Sequence, residues 1–85
     1  TNGKFDKTKL NKIASMTHNG YARSINPVHT MADGDSIYAL SVGEVEADLN
    51  TVGTLSARVM SMAIENAIKS AESMYGLTAY KDLKF

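Results

Sequence analysis

Asp33-Gly34-Asp35-Ser36-Ile37-Tyr38-Ala39-Leu40-Ser41-Val42 is the stretch that decides how this chain is read. Ser36 to Val42 has the length and composition of a β-strand bounded by Gly34 and Gly43. It is apolar on both sides, at Ile37, Tyr38, Ala39, Leu40 and Val42, which predicts a central strand covered on both faces. Asp33 and Asp35 stand at its mouth, two positions apart, so in extended backbone their side chains share one side. Crowded carboxylates are costly unless they bind a cation, orient a cationic group or share a proton. The plainer reading is a solvated turn, since Asp and Gly are the usual turn residues.

Helical patterns flank this strand. Before it, a helix is predicted to begin at Asp6, whose carboxylate can accept from the free amides of the first turn. Leu10, Ile13, Ala14, Thr17, His18 and Tyr21 keep a helical period and form its buried face, with Lys7, Lys9 and Lys12 outside. The helix should stop by Asn26, because Pro27 disfavours helical backbone in the residue before it. After the strand, Gly43 to Asn50 is an acidic connection, followed by a long helix from about Thr51 to Tyr75 with Gly76 as its cap. Its polar stripe is narrow: Arg58, Ser61, Glu65, Lys69 and Glu72, with Glu65 and Lys69 ordered for an i,i+4 ion pair. The rest, including Leu55, Val59, Met60, Ala63, Ile64 and Ile68, is apolar or small, which predicts burial by more than one neighbour. The methionines read as core filler, and Tyr21 and Tyr38 as core aromatics with a polar tip.

Helix, strand, long helix is an awkward set for a free-standing protein. A lone strand leaves both edges unpaired, at about 1–3 kcal/mol for each buried orphan group. It needs strands from another chain, a copy of itself or an upstream segment, so the pattern points to a subunit or fragment of a larger fold.

Composition sets wider bounds. The 85 residues allow one domain, and 44% hydrophobic content fits a globular class. Formal net charge is zero, so no global argument favours nucleic acid or a membrane surface. Charge is uneven: Lys4, Lys7, Lys9, Lys12 and Arg23 come early, and Asp33, Asp35, Glu44, Glu46 and Asp48 follow with no Lys or Arg among them. The sequence has no cysteine, which excludes disulfides and thiolate zinc sites and is compatible with a reducing cytoplasm. The apolar run from Val59 to Ile64 is too short to span a bilayer.

Tyr21-Ala22-Arg23-Ser24-Ile25-Asn26-Pro27-Val28-His29-Thr30, followed by Asp33-Gly34-Asp35-Ser36-Ile37-Tyr38-Ala39-Leu40-Ser41, resembles the C-terminal part of the DmpA-type peptidases. These are the L-aminopeptidase/D-esterases of peptidase family S58, grouped with β-peptidyl aminopeptidases and nylon-oligomer hydrolases. Asn50-Thr51-Val52-Gly53-Thr54-Leu55 and Ala71-Glu72-Ser73-Met74-Tyr75-Gly76-Leu77 continue the match. The resemblance covers nearly the whole chain, and its specificity lies in the order and spacing of the pieces.

The resemblance implies an α/β fold: a helix–strand–long helix fragment of a four-layer αββα N-terminal-nucleophile-type sandwich. Residues 1–85 would be the C-terminal part of one incomplete domain. The family makes a precursor that cuts itself into a large and a small subunit. The new N-terminal Ser or Thr of the small subunit is the nucleophile, and its α-amine acts as base, with an ordinary pKa of about 7.7–8 well suited to neutral pH.

Thr1-Asn2 resembles the end of the strand that the nucleophile opens, which sets the nucleophile about seven residues upstream in extended chain. Thr1 itself is the competing candidate, but Asn2-Gly3-Lys4 reads as a turn where that strand would be apolar. Carried over by residue, Asp33 and Asp35 match the acidic pair that holds the nucleophile's hydroxyl and ammonium. Some relatives have Ser-Gly-Glu or Ser-Gly-Asp there; the form here is more like the nylon-hydrolase and generic peptidase branch. The oxyanion-stabilising Asn and a Lys or Tyr belong to the large subunit in the family.

The expected partners are therefore the large subunit of the same precursor, further copies in a homo-oligomer, and a peptide, amide or ester substrate. No cofactor, nucleic acid, membrane or metal is implied. His29, Asp33 and Asp35 are of the right chemical class for zinc or manganese but match no ligand spacing, and His29 reads as a residue standing behind the acidic pair. His18 reads as a satisfied core histidine. The alternative to a hydrolase subunit is a non-catalytic, self-associating helix–strand–helix module in which Asp33-Gly34-Asp35 is only a turn.

Overall fold

Asp6 starts the first helix as its chemistry requires. In the computed structural model, which describes residues 1–84, α1 spans Lys7–Ser24 and the Asp6 carboxylate accepts from the Lys9 amide at 2.9 Å. Such a cap satisfies one of the orphan amides of the first turn. Ile25 closes the helix in extended backbone, two residues before Pro27. The expected face is turned inward: Ile13 and Thr17 are buried, and Leu10, Ala14, His18 and Tyr21 are half-buried. The Thr17 hydroxyl donates to the Ile13 carbonyl at 2.7 Å, so its polar atom is satisfied within the helix. Lys7, Lys9 and Lys12 are exposed.

The second helix, α2, spans Leu49–Ser70. It begins two residues earlier than Thr51 because Asp48 is its cap: the carboxylate accepts from the Thr51 amide at 2.9 Å and the Thr51 hydroxyl at 3.1 Å. It ends at Ser70, not Tyr75, and Gly76 does not cap it. Instead Met74 and Leu77 exchange both backbone hydrogen bonds around Tyr75 (φ 55°) and Gly76 (φ 82°). Two consecutive positive φ values make the tight two-residue turn that favours glycine at its second position. The Ser73 hydroxyl donates to Asp82 and accepts from the Ala79 amide, which ties this turn to a 3₁₀ turn at Tyr80–Asp82.

The two helices run in the same direction. Met16 lies at Gly53, Gly20 at Ala57, and the Ser24 hydroxyl shares a 2.6 Å hydrogen bond with Ser61, so contacts advance by four residues on both helices together. Gly20 is buried at the closest approach. A Cβ there would stand 2.5 Å from the Ala57 carbonyl oxygen and 2.7 Å from Met60 Cβ, so only glycine fits. Ser61 therefore belongs to the helix contact and not to the solvent stripe. Glu65 and Lys69 form no ion pair among the described residues; Glu72 pairs instead with Lys81, at 4.0 Å.

Ser36 to Val42 returns between the helices, as helix–strand–helix order demands, but it is not a strand. Among the described residues there are only two isolated bridges, Gly3 with Val45 in parallel and Met74 with Leu77 antiparallel. A strand is defined by its ladder, and among the described residues the backbone of this segment pairs only with Thr1, while Asn2 and Lys4 pair with Val45 beyond it. The Thr1 amine donates to the Leu40 carbonyl at 3.0 Å, the Thr1 carbonyl accepts from the Val42 amide at 2.9 Å, and Lys4 donates to Val45 at 2.8 Å. The side chains still alternate. Ile37, Ala39 and Ser41 are half-buried toward the helices, whereas Tyr38 is 92% exposed, so it is not a core aromatic.

Burial on both faces is thus not reached, and neither is burial of α2 by two neighbours. Leu55, Val59, Met62 and Ile68 are all more than half exposed, and of the methionines only Met16 and Met60 pack against α1 or α2 while Met31, Met62 and Met74 face outward. Among the described residues the buried hydrophobic side chains are Ile13, Ala57 and Ala79, and no large side chain is fully enclosed. The surface of 6626 Å² compares with about 4,900 Å² for a folded monomer of this mass. The radius of gyration, 15.7 Å, compares with about 12 Å. No helix among the described residues is long and apolar enough to cross a membrane.

Candidate active site

The loop from Asn26 to Ser36 joins the end of α1 to the extended segment and carries both candidate carboxylates. Asp33 closes a turn: its amide donates to the Thr30 carbonyl at 3.1 Å, and its carboxylate accepts from the Thr30 amide at 2.9 Å. That is the structural part the plainer reading gave to Asp-Gly-Asp. Asp35 has a different partner. Its Oδ2 lies 3.7 Å from His29 Nδ1, with side chains 32% and 43% exposed respectively. That separation makes a charge pair when the imidazole is protonated and is too long for a hydrogen bond. Gly34 has open space around it, so the backbone between the carboxylates is accessible to another chain or a ligand.

His29 is placed by α1. Its ring centroid is 5.4 Å from that of His18 and 6.4 Å from that of Tyr21, both near edge-on, and His18 and Tyr21 lie 5.4 Å apart. Its backbone sits at φ 58°, where a non-glycine residue is uncommon. His18 differs from expectation: its Nδ1 is buried with no hydrogen-bond partner, so it is not a satisfied core histidine. The spacing of His18 and Tyr21 on one face is visible in the sequence. Their meeting with His29 depends on how the loop turns back, which no periodicity encodes. Among the described residues no three His, Asp or Glu side chains gather as a metal set, and His29, Asp33 and Asp35 are divided between two local arrangements.

On the inner side of the extended segment, a groove of ≈ 490 Å³ opens between it and the helices. Ile13, Ile37, Leu55, Val59, Met60 and Ala63 line it, with Thr1 at one side. Its lining offers packing surface and few polar groups.

The family model described as Peptidase family S58 matches residues 1–81. This chain belongs to peptidase family S58. An uncharacterized aminopeptidase of Mycobacterium tuberculosis is 32% identical over 87 residues, covering 85% of this chain and 25% of the relative. One from Mycobacterium leprae is 31% identical over 84 residues, covering 81% of this chain and 23% of the relative. A 6-aminohexanoate-oligomer endohydrolase of Paenarthrobacter ureafaciens is 29% identical over 75 residues, covering 88% of this chain and 21% of the relative. The S58 chain thus spans about a quarter of the length of the curated relatives it matches. No solved structure matches it.

Proposed function

We propose that this chain is the small-subunit part of a self-processing N-terminal-nucleophile hydrolase, which removes N-terminal residues from peptides, amides or esters. The nucleophile's hydroxyl oxygen attacks the carbonyl carbon while its proton passes to the α-amine. The ammonium so formed then protonates the leaving group, and water hydrolyses the resulting ester. Asp33 and Asp35 hold the hydroxyl and the ammonium in this reading.

The parallel pairing at Thr1 carries the proposal. Thr1 sits opposite Ser41, bonded to the backbone of Leu40 and Val42 on either side. Continued upstream in the same register, a strand brings the residue about seven positions before Thr1 opposite Gly34, between the two carboxylates. Thr1 itself lies about 20 Å of extended chain from Asp35, and its Oγ1 accepts from the Gly3 amide at 3.0 Å, both of which speak against Thr1 as nucleophile. The four-layer sandwich has support of the same kind. Tyr38, Leu40 and Val42 face outward, and the surface excess of about 1,700 Å² is what one side of a large permanent interface contributes. The large subunit and further copies of the assembly are the proposed cover, and the cytoplasm the proposed setting.

The bond from Asp33 to Thr30 favours the second reading, in which the turn is structural. Mass spectrometry of the purified full-length protein separates the two. Self-processing predicts a fragment that begins with Ser or Thr about seven residues before Thr1. Alanine at that position should abolish both cleavage and hydrolysis of an amino-acid anilide. An uncut, active protein, or a fragment that begins at Thr1, overturns the proposal.

A further inference from the structure

Asp33 and Asp35 are held in different ways, and the difference singles out a third residue. Asp33 is fixed by the backbone of its own turn. Asp35 lies on the exposed run Thr30–Ser36, and the charged or polar group paired with it among the described residues is His29. His29 is itself constrained twice. Its ring is seated against His18 and Tyr21 on α1, and its backbone is held at φ 58°. Backbone of that kind is uncommon outside glycine and persists where the surroundings over-determine it, often at a working site.

We propose that His29 is a positioning residue: it anchors the Asp35 carboxylate to α1, so that the helix layer and not the exposed loop sets where that charge points. The inference rests on the reading of Asp35 as the group that holds the nucleophile. The direct link is the approach of Nδ1 to Oδ2 at 3.7 Å. The indirect link is the edge-on packing of the His29 ring against the His18 and Tyr21 rings, which fixes the plane of the imidazole. A carboxylate must be held within about half an ångström of its working position for its charge to favour the transition state. A charge on an exposed loop with no partner does not meet that tolerance.

Full-length protein with substitutions at His29 and Asp35 tests this, with kcat and KM for an amino-acid anilide measured separately. H29N removes the ion pair, but its shorter neutral amide can close on Oδ2 to hydrogen-bond distance and restore the link, and asparagine accepts positive φ more readily than other non-glycine residues. H29G also accepts φ 58° but carries no donor, so both variants suit the fold and only one keeps the link. H29G should lower kcat about tenfold or more with KM unchanged, and H29N should stay within about threefold of the parent, because the loss is of charge placement and not of substrate contact. In a D35N background the same H29G change should do nothing further, since two residues that act through one interaction are not additive.

Equal loss in H29G and H29N, no loss in H29G, or full additivity with D35N would each overturn the role of His29 while leaving Asp35 in place. Unchanged kcat in D35N alone would overturn the reading of Asp35, and the anchoring role with it.

Discussion

Where α1 crosses α2, Gly20, Gly53 and Ala57 are buried and Ser24 bonds to Ser61; along the extended segment, Tyr38, Leu40 and Val42 stand 92%, 61% and 76% exposed. Both regions are built from apolar and small residues. A helix satisfies its own backbone, so two helices need only matching surfaces, and four-residue ridges supply them. An extended segment satisfies nothing by itself, so its form depends on what lies beside it. Among the described residues Thr1 lies beside it, with Asn2 and Lys4 beside Val45, and they supply a few hydrogen bonds in place of a ladder. The helix contact is closed by its own residues, while the segment that follows the acidic pair is left largely exposed.

The largest expected effect lies in that second half. Asp33→Asn and Asp35→Asn in the full-length protein should each slow hydrolysis and self-cleavage by about a hundred-fold or more, equivalent to about 2–4 kcal/mol of transition-state stabilisation. In Asp33→Asn the new amide oxygen can still accept from the Thr30 amide, so the turn survives the loss of charge. Wild-type rates in both reactions would show that the carboxylates only shape the loop.

Gly20→Ala tests the helical half. Its Cβ would meet the Ala57 carbonyl oxygen, and the added methyl should destabilise the chain by about 1–3 kcal/mol, read from the helical signal in urea. At Gly53 the obstruction is the thioether end of Met16, which can rotate away, and alanine gains about 1 kcal/mol of helix propensity. Gly53→Ala should therefore be much the milder change. Equal costs would mean that backbone approach at Gly20 does not control the crossing.

Asp48→Ala removes the α2 cap and its two bonds to Thr51, and should cost about 1 kcal/mol in the same titration. The smallest effect in this chain should come from Leu40→Lys, within about 0.5 kcal/mol because the side chain faces outward. The same change in the full-length protein should prevent the subunits from co-purifying, since a buried, unpaired lysine is costly. Normal assembly would show that this face is never covered, and the contrast between the two halves would disappear.

Much of the helical half is legible in the residues. Asp6, the α1 stripe from Leu10 to Tyr21 and the stop before Pro27 follow from spacing and local chemistry. Asp48 was equally readable as a cap, but its place inside an acidic run concealed it. The end of α2 was not legible, because Ala71 to Tyr75 suits a helix and the tight turn at Tyr75-Gly76 competes for the same backbone. The polar character of Ser61 suggested solvent, and the partner hydroxyl on Ser24 is visible only once the helices are side by side. At the candidate site, the nearness of His29 to the acidic pair could be read from sequence, but its attachment to His18 and Tyr21 could not.

By itself, the sequence determined two helices, an extended apolar run between them and an acidic pair at its mouth. These rest on interactions within a few residues, which spacing and side-chain chemistry express directly. The tertiary structure alone decided the shared direction of the helices, the glycine contact that sets their approach and the parallel register of Thr1 against Ser41. It also decided the division of partners, with Asp33 held by its turn and Asp35 beside His29. Those features join residues distant in the chain, and their energies depend on which surfaces meet, a quantity no local pattern contains.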